Sequence, residues 1–175
     1  EIRRKRKEKL SATRLTKVQN LDDRMEKLRM LGKIRGLKKA FYIKLVKEEA
    51  YKHGLNVEFA STKSFCSRLR INGYLTAISG TNTKTIYHQP KKGEPTVYYR
   101  FAVSLKPHDF SVFVLDQGEN EYCFYIIPYE KIKELRLVTL RPDYANPRRK
   151  GRNGSKYIIY REAWHLFEKR QDEVK

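Results

Sequence analysis

The order of apolar and polar residues divides the chain into a helical first third and a β-rich remainder. From Leu10 onward, apolar residues recur at steps of three and four, the spacing of one face of an α-helix. This stripe runs from Leu15 to Leu31 and weakens at Gly32 and Gly36. The pattern predicts a helix that bends or breaks at these glycines, with an apolar face that packs either on the body or on a second copy.

A second helix is predicted from about residue 37 to residue 52. His53-Gly54 provides its C-terminal stop, because glycine accepts the left-handed conformation that ends helices. After Gly54, short runs rich in β-branched and aromatic residues alternate at a period of two, which predicts strands. Asn72-Gly73 predicts a tight hairpin turn between two of them. The predicted strands are residues 56–61, 67–71, 74–79, 97–104, 110–115, 122–128 and 137–140.

Polar and charged segments separate these elements. Residues 80–93 and 141–154 are predicted as loops, the second rich in Pro, Gly and Arg, and residues 116–120 as a turn. Residues 129–135 predict one or two helical turns, 155–160 an extended segment, and 161–169 an amphipathic helix that contains Trp164. The predicted organisation is a basic helical N-terminal extension, residues 1–36, followed by an α/β domain, residues 37–175.

Composition restricts the function classes. The 175-residue chain has 39 Lys and Arg against 20 Asp and Glu, a net charge of +19, with 39% hydrophobic residues. That hydrophobic content supports a folded core, and no apolar run approaches the roughly 18 residues that span a bilayer. Cys66 and Cys123 are too few for a disulfide framework or a zinc site, so a reducing, intracellular setting in cytoplasm, nucleoid or nucleus is expected.

The positive charge is concentrated at the N-terminal end. Residues 1–40 carry 15 basic and 5 acidic side chains, residues 41–136 carry 14 and 10, and residues 137–175 carry 10 and 5. A surplus placed in this way favours a phosphate polymer as the partner. A membrane surface is disfavoured, because residues 1–9 offer only Ile2 as an apolar anchor.

Three segments carry a likeness to a known family. They are residues 69–78 (LRINGYLTAI), residues 98–128 with DFSVFV and YIIP, and residues 156–164 (KYIIYREAW). Together with the order of helix and strands, they resemble the restriction-endonuclease-like fold, the PD-(D/E)xK superfamily, over about residues 37–170. The resemblance implies an α+β fold with a mixed or antiparallel sheet flanked by helices, and the helical N-terminal arm predicted above precedes it.

The resemblance also implies where a catalytic centre would lie. Those nucleases need an acidic residue on the strand before the hairpin, and Asp or Glu, any residue, then Lys on the next strand. The carboxylates hold Mg²⁺. Here Arg68 and Arg70 stand on the first strand, and the second offers residues 76–78 or 77–79, Thr-Ala-Ile or Ala-Ile-Ser. Neither strand has a carboxylate, which predicts that the nuclease centre is lost.

The leading hypothesis is a DNA-binding protein with no catalysis and no cofactor of its own. Basic residues of the N-terminal arm, of two loops and of the first hairpin strand are expected to contact the phosphate backbone. A homodimer or larger complex through the helix between Leu15 and Leu31 is a further expectation. The predicted contacts are Arg3, Arg4, Lys5, Arg6, Lys7, Lys9, Arg68, Arg70, Lys84, Lys91, Lys92, Arg148, Arg149, Lys150 and Arg152.

Two alternatives fit the same composition. One is a Mg²⁺-dependent DNA endonuclease, restriction or homing in type, whose migrated site would draw on Asp109, Asp116, Glu48, Glu49 and Glu58. The other is an RNA-binding structural protein of a ribonucleoprotein particle, whose basic tail would thread through folded RNA.

Overall fold

The computed structural model describes residues 21–60, 68–87, 96–142 and 156–170. Within these ranges the chain forms two α-helices, α1 (Leu21–Met30) and α2 (Ile34–Lys52), and then eight strands. Three short 3₁₀ helices follow β7 and β8, at Tyr129–Lys131, Ile158–Tyr160 and Trp164–Arg170. The strands are β1 (Val57–Phe59), β2 (Arg68–Ile71), β3 (Tyr74–Thr81), β4 (Thr85–Tyr87), β5 (Thr96–Ala102), β6 (Phe110–Gly118), β7 (Glu121–Pro128) and β8 (Leu137–Leu140).

The two helices form a hairpin, with a turn at residues 31–33. Gly36 allows close packing between them, because a Cβ there would lie 3.1 Å from Cδ2 of Leu28. The Nζ atom of Lys44 donates to Oδ1 of Asp22 at 2.6 Å and ties the helices together a second time. The predicted second helix is confirmed, although it begins at Ile34 rather than residue 37. The division drawn after residue 36 therefore falls inside the first turn of α2.

The predicted helix end at Gly54 and the predicted hairpin turn at Asn72-Gly73 both occur in the structure. Gly54 takes φ +72 directly after α2, as expected for a residue that ends a helix in the left-handed region. Asn72 and Gly73 take φ +47 and +82 and join β2 to β3. Two positive φ angles in sequence define the type I′ turn, which suits the twist of a tight hairpin.

The main sheet has five strands in the order β1-β2-β3-β6-β7. The pair β3 and β6 is parallel, with Ile78 opposite Val112, and the other neighbours are antiparallel. The predicted α+β class with a mixed sheet is therefore confirmed. Because β3 and β6 run in the same direction, the chain must return between them, and β4 and β5 lie in this return.

Different layers cover the two faces of the main sheet. Helix α2 and the 3₁₀ helix Trp164–Arg170 pack on one face, where Val46 and Trp164 are buried with Val112 of β6. The other face packs on a second sheet in the order β4-β5-β8, and Phe101 of β5 lies 4.9 Å from Phe113 of β6 between ring centroids. The expected helices therefore flank the sheet on one face, and a second sheet, which was not expected, covers the other.

Three further expectations about local structure need correction. The segment 80–93 is not a loop throughout, because β4 forms within it and pairs with β5. Residues 158–160 form a 3₁₀ turn instead of continuing an extended segment. The closing helix is 3₁₀ rather than α. Neither described α-helix has the length and hydropathy needed to cross a bilayer.

Candidate nucleic-acid interface

A cleft of about 380 Å³ opens where the first turns of α2 meet the end of β3. One wall consists of side chains from α2, and the other is the segment of residues 78–83. This segment includes the last residues of β3 and the polar residues that follow it. The cleft lies on the face of the main sheet that α2 covers.

Three basic side chains line the cleft because they share one face of α2. Arg35, Lys38 and Lys39 occupy positions i, i+3 and i+4, which are neighbours on a helix surface. All three are exposed. Within the described ranges none of them makes an ion pair, whereas Lys44 on the same helix pairs with Asp22 at 2.6 Å. Among the described residues, no carboxylate therefore neutralises their positive charge.

The start of α2 adds to this positive potential. Lys33 stands at its N-cap without a side-chain capping hydrogen bond, and the first turn contains no acidic residue. Helix starts usually have a Ser, Thr, Asp or Asn cap, and acidic residues there offset the positive end of the helix dipole. An anion in the cleft would therefore meet the three cations close to a helix start that carries no acidic side chain.

Tyr42 forms the floor of the cleft and depends on a glycine opposite. The Tyr42 side chain is buried, and its ring lies against Gly80 of β3. A Cβ at Gly80 would lie inside 3.0 Å of three ring carbons, so no other residue fits without displacement. The close contact of ring and backbone closes the cleft at its inner end.

Behind this floor, a carboxylate is held in place by hydrogen bonds. The Tyr42 hydroxyl donates to Oδ2 of Asp116 at 3.1 Å, and the backbone N–H of Gly118 donates to Oδ1 at 3.1 Å. Burial, and next the charge of Asp116, raises the pKa of the Tyr42 hydroxyl above its ordinary value. The hydroxyl therefore stays protonated at neutral pH and acts as the donor. The Asp116 carboxylate thus accepts hydrogen bonds from Tyr42 and Gly118 within the fold and does not line the cleft.

The described part of the chain includes three of the predicted phosphate contacts, and none of them lines the cleft. The guanidinium of Arg68 donates to the carbonyl oxygens of Lys106 and Pro107, both at 2.9 Å, and so ties β2 to the segment before β6. Arg70 is exposed and donates to the carbonyl oxygen of Gly73 at 3.3 Å. Their role in phosphate binding stays a prediction.

Lys84 is exposed and directly follows Thr83, which lines the cleft. Its Nζ atom donates to the carbonyl oxygen of Gln117 at 2.6 Å. This bond holds the residues after β3 against the end of β6. The remaining predicted contacts lie outside the described residues, and these are Arg3, Arg4, Lys5, Arg6, Lys7, Lys9, Lys91, Lys92, Arg148, Arg149, Lys150 and Arg152.

The carboxylates considered for a migrated nuclease site do not come together. Asp109 precedes β6, where it accepts a hydrogen bond from the N–H of Leu75 at 2.7 Å, and Asp116 lies near the other end of the same strand. Seven residues of extended chain separate them by roughly 20 Å. Within the described ranges no group of three His, Cys, Asp or Glu side chains is arranged to hold a metal ion.

The other acidic residues of that pool are Glu48, Glu49 and Glu58. Glu48 and Glu49 lie near the end of α2, where Glu49 pairs with Lys52 at 2.8 Å and Glu48 lies 3.9 Å from the Nζ of Lys44. Glu58 lies on β1, at the edge of the main sheet. These carboxylates belong to the surface of the helix and to the sheet edge.

The three cations of the cleft are not among the residues predicted from the sequence to contact phosphate. Their signal was present, because basic residues at i, i+3 and i+4 followed by Tyr42 at i+7 mark one helix face. The sequence pattern alone does not show that this helix face packs against residues 78–83. Searches against protein-family models, curated proteins and solved structures returned no match to this chain.

Proposed function

We propose that this protein binds DNA through the phosphate backbone and does not cleave it. The observation that carries the proposal is the cleft, because Arg35, Lys38 and Lys39 converge there without ion-pair partners among the described residues. Phosphate oxygens are the anionic acceptors that such cations bind in charge-assisted hydrogen bonds. The net charge of +19 provides the long-range attraction that brings a polyanion to this surface.

The preference for DNA over RNA, and the absence of cleavage, depend on the resemblance to the restriction-endonuclease-like proteins. The β2–β3 hairpin is the element on which that family places its acids. In this chain β2 reads RLRI and β3 reads YLTAISGT, without a carboxylate. Arginines in place of acids attract phosphate, and hydrolysis assisted by Mg²⁺ would need converging carboxylates. The separation of Asp109 from Asp116 along β6 supports the same view.

The test is the salt dependence of binding to a fluorescent duplex of about 30 base pairs. Backbone binding predicts that log K falls linearly with log salt, with a slope of about −0.9 for each phosphate that the protein neutralises. Because phosphate contacts carry no sequence information, two unrelated duplexes should bind with similar affinity. A flat plot of log K against log salt would contradict the proposed backbone binding.

A charge variant connects the binding to the cleft. Replacing Arg35, Lys38 and Lys39 together by Gln should make the slope shallower by up to about 2.7, which is three contacts at 0.9 each. The matched control replaces Lys106, Lys131 and Arg136 by Gln, which removes the same charge from exposed positions.

Lys106 precedes β6, Lys131 follows β7 and Arg136 directly precedes β8, and none of the three lines the cleft. The control should retain the wild-type slope within about 0.5. Equal effects in both variants would show that net charge, and not the cleft, determines the binding.

Two further measurements separate the alternatives. Structured RNA added as a competitor at fixed salt should displace the duplex less effectively than unlabelled DNA does. RNA that wins by a wide margin would favour the ribonucleoprotein alternative. Supercoiled plasmid incubated with Mg²⁺ or Mn²⁺ should stay intact. Sustained cleavage that Asp109→Ala or Asp116→Ala abolishes would establish the endonuclease alternative instead.

A further inference from the structure

The turn between α1 and α2 exposes a group of large apolar side chains. Met30, Leu31 and Ile34 are 80%, 57% and 67% exposed, although they lie within five residues of one another. We name these three residues the apolar tip. Single exposed apolar residues are common on protein surfaces, whereas an exposed cluster marks a surface that contacts a partner.

Basic residues flank the apolar tip along the chain, although Arg29 pairs with Glu26 at 2.6 Å. The segment of residues 27–39 (KLRMLGKIRGLKK) contains six basic residues and no acidic residue. Lys33 lies inside the turn, and Arg35, which follows Ile34 directly, lines the cleft. The tip therefore lies beside the surface proposed to bind phosphates. Exposed apolar side chains next to Lys33 and the cleft cations are complementary to a nucleic-acid groove, which has phosphates on its rims and base edges inside.

A lipid surface fits this tip less well than a groove does. Membrane-binding helices bury a long apolar face in the plane of the interface, whereas here the exposed apolar residues are confined to one turn. Together the three side chains contain fewer carbon atoms than one myristoyl chain, which by itself gives only marginal membrane binding. The charge pattern and the small size of the tip both point to duplex DNA.

We propose that the apolar tip enters the minor groove and inserts between neighbouring base pairs, so that the duplex bends. This inference rests on the proposed DNA binding and adds how the DNA is held. Proteins that insert Leu, Ile, Met or Phe side chains in this way unstack a base step and kink the duplex by about 20–90°. The bend turns the flanking phosphates toward the cations at Lys33 and in the cleft.

The test is ring closure of a linear DNA fragment of about 120 base pairs by ligase, because this fragment is shorter than the persistence length of DNA. Bending brings its ends together, and no knowledge of a preferred sequence is needed. The wild-type protein should accelerate ring closure by about tenfold or more at saturating concentration. Binding to the same fragment, measured by fluorescence anisotropy, is recorded in parallel.

Two variants show whether the tip causes the bend. Replacing Met30, Leu31 and Ile34 by Ser should reduce the acceleration to less than about twofold, while salt-dependent binding to the fragment persists because no cation is removed. The matched control replaces Leu105, Leu137 and Ile159 by Ser. These residues are 84%, 59% and 71% exposed and lie elsewhere on the surface. The control should close rings as fast as the wild-type protein.

The outcomes distinguish this inference from the proposed function. Tight, salt-dependent binding without accelerated ring closure by the wild-type protein would overturn the proposed insertion of the apolar tip, while the proposed DNA binding would still hold. Unchanged ring closure by the tip variant would overturn it also. Loss of binding to anionic vesicles by the tip variant alone would assign the tip to lipid, and a change in molar mass by light scattering would assign it to contact between copies. If the wild-type protein does not bind DNA at all, the proposed function itself fails.

Discussion

Replacing Gly80 by Ala tests whether the contact of Tyr42 with β3 determines the stability of the cleft floor. The added Cβ would lie inside 3.0 Å of Cγ, Cδ1 and Cδ2 of the Tyr42 ring. The backbone cannot easily retreat, because Gly80 pairs with Val114 in the parallel ladder. The ring is also held, since it is buried and its hydroxyl is bonded to Asp116.

Two effects are expected to lower the free energy of unfolding of Gly80→Ala. Inserting a carbon into a packed interior costs about 1–3 kcal/mol. Displacing the ring also weakens the hydrogen bond between Tyr42 and the Asp116 carboxylate, and such bonds to charged groups contribute about 1.5–3 kcal/mol. We therefore expect Gly80→Ala to lower the free energy of unfolding by about 3 kcal/mol. For a chain of this size the melting temperature should fall by about 6–12 °C.

Urea denaturation followed by tryptophan fluorescence measures this loss. Trp164 is the single tryptophan of the chain, is 1% exposed and stacks on His53 at 5.3 Å between ring centroids, so unfolding changes its surroundings. The control background is Tyr42→Ala, which removes the three clashing carbons. Tyr42→Leu would not serve, because a leucine retains atoms at those positions. In the Tyr42→Ala background, Gly80→Ala should cost less than about 1 kcal/mol. An equal loss in both backgrounds would refute the reasoning.

Three further predictions follow from single side chains. Because burial raises the pKa of Tyr42, the folded state retains a proton that the unfolded chain loses above about pH 10. Stability should therefore fall above pH 10 by up to about 1.4 kcal/mol per pH unit and group, and Tyr42→Phe should reduce that slope in urea titrations at several pH values. Glu162 accepts hydrogen bonds from the N–H of Phe124 at 2.7 Å and from Nε1 of Trp164 at 3.1 Å. Glu162→Ala should lower the free energy of unfolding by about 2 kcal/mol and Glu162→Gln by about half as much, and equal urea midpoints for both would contradict this. Arg68→Ala should cost about 1–3 kcal/mol and, because Arg68 is one of the predicted phosphate contacts, should also make the salt slope of DNA binding shallower by about 1. An unchanged slope would confine Arg68 to its hydrogen bonds within the fold.

Features that depend on neighbours in sequence were predictable from the residues themselves. The helix that ends before Gly54 and the Asn72-Gly73 hairpin were both predicted and both occur. Glycine accepts positive φ at little cost, and the hairpin turn needs positive φ at two successive residues. Most strands were also predicted, because alternation at a period of two describes a half-buried strand without reference to its partners.

Pairing and packing between distant segments were decided by the tertiary structure. The local sequence pattern does not show that β3 pairs in parallel with β6. It also does not show that β4 and β5, which lie between β3 and β6 in the chain, form a second sheet with β8. Residues 158–160 have an extended pattern but turn as a 3₁₀ helix, and Tyr157 before them is buried with β5, β7 and β8. Tertiary packing of this kind overrides weak local preferences.

The candidate site combines both kinds of information. The sequence by itself determined the charge of +19, the missing carboxylates on β2 and β3, and a helix face with Arg35, Lys38 and Lys39. Only the tertiary structure brought that face against residues 78–83 and placed Arg68 on backbone carbonyl oxygens instead of in the cleft. The physical reason is that charge and periodicity are properties of the chain. A cleft exists only where two remote segments pack, here because Gly80 leaves room for the ring of Tyr42.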